Sequence, residues 1–124
     1  MAVSIPDGSA FPEPQDSAVE ALHRLTDEID RSLVELQHAR RQAETLLRAR
    51  HSGRDWREVV GGEARPMVLE KVSGMLGALS TVGGTWRREQ VKALASEGVS
   101  INQIAALFGV TRQRISALLR ERDG

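Results

Sequence analysis

The 124-residue chain contains no cysteine and no tyrosine, and its aromatics stop at two tryptophans and two phenylalanines. Without cysteine there can be neither a disulfide nor a thiolate metal site, which fits a protein of the reducing cytoplasm. So few aromatics argue against a sheet and for helices packed through Leu, Val, Ile and Ala, and an all-α fold is expected. No apolar run approaches the roughly 18 residues of a membrane helix. Nor does the N-terminus carry a basic stretch leading into an apolar one, so neither a membrane span nor a secretory leader is expected. Lysine is scarce too: only Lys71 and Lys92 stand among 17 basic residues, and arginine carries the positive charge. His23, His38 and His51 are too far apart in sequence to form a metal pair on one helix turn. GxSxG and phosphate-binding glycine-loop motifs are missing. No catalytic residue, metal or cofactor is therefore expected, and the chain reads as a non-enzyme.

The formal net charge is zero, but it is unevenly spread. Residues 1–18 carry Asp7, Glu13 and Asp16 and no base. Residues 86–124 carry seven bases (Arg87, Arg88, Lys92, Arg112, Arg114, Arg120, Arg122) against four acids (Glu89, Glu97, Glu121, Asp123), a net of +3. Attraction for a polyanion is confined to the C-terminal third, and for one copy it is modest.

Four segments follow from composition and periodicity. Residues 1–15 hold Pro6, Pro12 and Pro14 with Gly, Ser and acids, and read as a disordered tail. Over residues 16–50, Ser17 and Glu20 form a capping-box pattern ahead of a long coiled-coil-like helix. Val19, Leu33 and Leu47 occupy one heptad position of its apolar stripe; Leu22, Ile29, Leu36 and Ala43 occupy the other. Thr26, Arg40 and Arg50 interrupt that stripe, and Leu25 and Leu46 widen it. Those seven residues are expected to dimerise, the alternative being packing of the helix on its own C-terminal helices. Residues 51–84 suggest a helical hairpin. Its first helix would be capped by Asp55 with Glu58, and Pro66 would sit in the first turn of its second, which ends near Thr81. The hairpin could be a degenerate copy of the unit that follows. Gly83-Gly84 is expected to break the chain before a C-terminal domain at 85–124, whose first helix would be capped by Thr85 and run from Trp86 to Glu97.

Residues 98–120, GVSINQIAALFGVTRQRISALLR, have the pattern of a helix-turn-helix. Ser100 with Gln103 makes a capping box for a helix over 101–107, and Thr111 is a good N-cap for one over 111–121. Ala105 is small where the two helices must cross, Gly109 suits the positive φ of the turn, and Val110 is expected to plug its inner side. Ile104, Phe108, Ile115 and Leu118 supply a shared apolar face. Thr111, Arg112, Gln113, Ser116, Ala117 and Arg120 would then face outward, with donors and methyls suited to base edges. Arg87, Arg88, Asn102, Gln103, Arg114 and Arg122 are better placed for phosphates.

This stretch resembles the tri-helical DNA-binding units of bacterial regulators, of sigma-factor region 4 and of serine recombinase C-terminal domains. FGVTRQRISALL is especially similar to sequences in small actinobacterial helix-turn-helix regulators. The resemblance covers about a fifth of the chain and implies that Thr111, Arg112, Gln113, Ser116 and Arg120 contact double-stranded DNA. The chain lacks a recombinase catalytic domain and the polymerase-binding regions of a sigma factor. A homodimeric, nucleoid-located transcriptional regulator is expected. The alternatives are a nucleoid-associated DNA-binding protein or an adaptor that binds another protein through its N-terminal helix.

Overall fold

A computed structural model describes residues 16–121, in which five helices form and no strand does. The tail at 1–15 and Arg122 lie outside the described residues. The helices are α1 (Ser17–His51), α2 (Trp56–Gly61), α3 (Val68–Ser96), α4 (Ile101–Phe108) and α5 (Arg112–Arg120). The expected all-α architecture is present.

The long helix α1 is capped one residue earlier than Ser17. Asp16 accepts hydrogen bonds from the Ala18 and Val19 amides at 3.0 and 3.1 Å, so the Ser17–Glu20 box does not form. At its far end Gly53 turns the chain at φ 99°, and the Arg50 guanidinium lies 5.0 Å over the Trp56 ring. Asp55 and Glu58 then close the expected box around α2, which buries Val59 and packs on α1. Since α2 makes no helix–helix contact with α3, residues 51–84 are not a hairpin of the helix-turn-helix kind.

Gln42, in the C-terminal third of α1, points its amide nitrogen at Glu63 Oε2, Ala64 O and Pro66 O, at 3.0–3.3 Å. Glu63 accepts from the Val68 amide at 2.7 Å and Glu70 from the Met67 amide at 2.8 Å. These carboxylates satisfy the first donors of α3 and set its start at Val68, leaving Pro66 in the preceding loop. From there α3 runs back antiparallel to α1.

Helix α3 does not stop at Gly83-Gly84. It runs unbroken for 29 residues, Val68–Ser96, so the expected boundary at 84/85 is a helix interior. Thr85 is no N-cap: its hydroxyl donates to Thr81 O at 3.2 Å, within the helix. Two glycines cost about 1 kcal/mol each relative to alanine in a helix. Half-buried Val82, Thr85 and Trp86 beside them keep the segment in contact with the rest of the molecule, which offsets that cost.

The faces of α1 divide its labour. Its buried seam is built largely of small side chains, with Ala21, Ser32 and Ala39 buried and Ala18, Leu25, Leu46 and Ala49 half-buried. The helix therefore does pack on a later helix of its own chain, but not through the stripe read from the sequence. Val19, Leu22, Ile29, Leu33, Leu36 and Leu47 remain 41–55% exposed, and Ala43 is half-buried. The C-terminal third of α3 meanwhile joins α4 and α5 around Val91, Ile104, Ala105, Ile115 and Leu118.

Because a Cβ built on Gly84 meets nothing within 4 Å, Gly84→Ala is expected to raise unfolding stability by about 0.5–1 kcal/mol in a denaturant titration. A loss of stability would mean that the helix is broken there.

Candidate nucleic-acid interface

Helix α4 begins with the reciprocal box anticipated for it. The Ser100 hydroxyl accepts from the Gln103 amide at 3.2 Å, and Gln103 Oε1 accepts from the Ser100 amide at 3.1 Å. Gly109 ends α4 at φ 67°, ψ 35°, a left-handed conformation that a Cβ would oppose. The Val110 amide then donates to Ala105 O at 3.0 Å, tying the turn to the helix behind it. Val110 itself is 39% exposed and does not plug the turn. Ala105 belongs to the buried cluster, and half-buried Phe108 and Val99 pack against it.

Thr111 caps α5 by accepting from the Arg114 amide at 3.1 Å. Along this helix Ile115 and Leu118 point into the core, with 0% and 3% of their surface exposed. Residues one helical face away are turned outward by the same geometry. Arg112, Gln113, Ser116 and Arg120 line one open depression of about 330 Å³. Ala117 is half-buried on its flank and Arg114 is exposed. Of the six residues expected to read bases, four thus share one open face of α5, Thr111 stands at its N-terminal end and Ala117 at its edge.

No family model, curated protein or solved structure matches the chain. What this face can do follows from its own chemistry. Arg112 and Arg120 can each offer a guanidinium fork to adjacent acceptors, Gln113 an amide donor–acceptor pair, and Ser116 a hydroxyl that donates or accepts. The row spans nine residues, 112–120, and carries donors and acceptors of the kind that can pair with base edges.

The residues expected at phosphates are less uniform. Asn102, Gln103 and Arg114 are exposed, although the Gln103 carbonyl is held by the cap. Arg87 lies 4.0 Å over the Phe108 ring, which fixes it beside the turn. Arg88 is different. Its side chain is only 17% exposed and bonds Glu121 at 3.1 Å, binding α3 to the end of α5, with Glu89 at 3.9 Å. Buried Glu89 also faces Lys92 at 3.6 Å. Arg88 is therefore engaged as a structural clamp, its guanidinium held by Glu121 and Glu89 instead of being open to solvent. Only its burial reveals this, and no pattern in the sequence marks it.

The glycine at the turn supplies a direct check. Gly109→Ala is expected to cost about 1–2 kcal/mol in thermal unfolding although its Cβ would meet no atom within 4 Å, since the penalty is conformational. An unchanged melting temperature would contradict the left-handed turn.

Proposed function

We propose that the chain is a sequence-specific DNA-binding transcriptional regulator acting as a homodimer, with α5 lying in the major groove. The observation that carries this reading is the open row of Arg112, Gln113, Ser116 and Arg120 on a helix whose opposite face is locked into the core by Ile115 and Leu118. Rigid presentation of bidentate donors is what direct readout requires. Arg87, Asn102, Gln103 and Arg114 flank that row and position the helix on the backbone.

Charge argues for two copies. Arg88 and Lys92 are engaged with Glu89 and Glu121, so phosphate attraction rests mainly on Arg87, Arg112, Arg114 and Arg120. A unit with so few phosphate contacts binds weakly, with a salt slope of about 0.9 per contact. Two units on one duplex add their contacts and demand a correctly spaced pair of half-sites. The exposed stripe of α1 provides the surface that a second copy would cover.

A duplex enriched by the protein from a randomised pool provides the test. Arg112→Ala and Gln113→Ala are each expected to weaken binding to that duplex by about tenfold or more, through loss of roughly 1–3 kcal/mol of base recognition, with helicity unchanged. Arg114→Ala should instead weaken all duplexes alike and lower the salt slope by about two, one contact being lost from each copy. Indifference of every DNA assay to the first two substitutions would overturn the reading in favour of a protein-binding adaptor.

A further inference from the structure

The two helices of the α1/α3 pair leave one broad side apolar. Four of the six exposed residues of the α1 stripe follow a seam residue by one position: Val19 after Ala18, Leu22 after Ala21, Leu33 after Ser32, Leu47 after Leu46. On α3 the same relation places Leu69 after Val68 and Leu76 after Met75, and these two are 75% and 57% exposed. In an antiparallel pair of right-handed helices, the residue after a seam position falls on the same side of both. Leu69 and Leu76 therefore extend the α1 stripe into a surface two helices wide. Eight large side chains about half open exceed the apolar patch that a soluble monomer ordinarily leaves uncovered.

The pattern of α1 specifies what covers it. Its first nineteen residues, 17–35, carry Glu20, Asp27, Glu28, Asp30 and Glu35 against Arg24 and Arg31, a net of −3. Residues 36–51 carry Arg40, Arg41, Arg48 and Arg50 against Glu44, a net of +3. A second α1 laid parallel would set like charges together, whereas an antiparallel one sets each half against its opposite. The apolar rows have the same symmetry. Val19 and Leu47 lie fourteen residues either side of Leu33, and the polar interruptions Thr26 and Arg40 lie seven either side. Beside them runs the row Glu20, Asp27, Val34, Arg41, Arg48, which is acidic on one arm, basic on the other and symmetrical about its centre.

We infer that a second copy of this chain covers the stripe, with the two α1 helices antiparallel about a two-fold axis at Leu33. Val19 of each copy then meets Leu47 of the other, and the acidic arm of each runs along the basic arm of its partner. The assignment rests on the homodimer proposed above and adds its direction, register and contribution from α3. Its geometry also sets the distance between the reading heads. Ser17 lies sixteen residues from Leu33, or about 24 Å at 1.5 Å per residue, and α3 carries α4 and α5 past that end of α1. The two heads are thus at least about 48 Å apart, beyond the 34–36 Å of one helical turn of DNA. Two turns, about 20 bp between half-site centres, is the next spacing that presents both major grooves on one side.

The absence of cysteine makes the test unambiguous. Full-length Val19→Cys and Leu47→Cys proteins, changed at exposed positions that leave the fold intact by circular dichroism, are mixed and oxidised with a mild disulfide reagent. The expected product is the mixed disulfide, with little cross-linking of either protein alone, while Leu33→Cys alone cross-links to itself. Self-cross-linking of Val19→Cys would overturn the antiparallel arrangement, as would a mixture without cross-links. Sedimentation of the unsubstituted protein separates the two failures: a dimer with the wrong cross-links refutes only this geometry, and a monomer refutes the homodimer as well. Introducing Arg112→Ala should leave the cross-links unchanged, because it lies outside this interface.

Discussion

One helix has two packing obligations, and the architecture depends on its meeting both without a break. The first two-thirds of α3 lie along α1, while its last third supplies Val91 and Leu94 to the cluster that holds α4 and α5. Had Gly83-Gly84 hinged, the hairpin and the reading unit would be beads on a flexible joint. As a continuous helix, α3 makes the position of α5 a consequence of where α1 is held. The Arg88–Glu121 pair reinforces this at 3.1 Å by fastening the end of α5 back to the same helix.

The division of faces on α1 follows from side-chain size. Alanine and serine at the seam let two helices approach closely, and burying them releases less apolar surface per residue than burying leucine would. The larger residues, Leu22, Ile29, Leu33, Leu36 and Leu47, are left outside. A monomer with that distribution forgoes much of the stabilisation its leucines could provide, and the proposed association would recover it. Dimerisation in this account is the completion of a core and is coupled to DNA recognition through α3.

Features governed by hydrogen bonds between residues three apart were legible in the sequence. The Asp55–Glu58 and Ser100–Gln103 boxes, the Thr111 cap and the left-handed Gly109 all form as local chemistry prescribes. The core of the C-terminal unit was equally readable, since Ile104, Ile115 and Leu118 recur at helical spacing. Choices settled at longer range were not. Ser17 and Asp16 are both competent caps, and only the geometry of the first turn selects Asp16. Gly83-Gly84 obeys helix propensity when isolated and tertiary packing when paired with α1. Arg88 looks like any surface arginine until Glu121 arrives from 33 residues away. Which face of α1 meets α3 was hidden because the stronger apolar stripe is the one that stays outside. The weaker alanine seam, repeating every seven residues through Ala18, Leu25, Ser32, Ala39 and Leu46, was the signal that could have revealed it.

The central claim is that two copies of α5, held apart by a rigid antiparallel body, read one duplex. A hydroxyl-radical footprint on DNA enriched by the protein measures this most directly. The account predicts two symmetrical protected segments on one face of the duplex, with centres about 20 bp apart. A single protected segment, or uniform protection along the DNA, would contradict it.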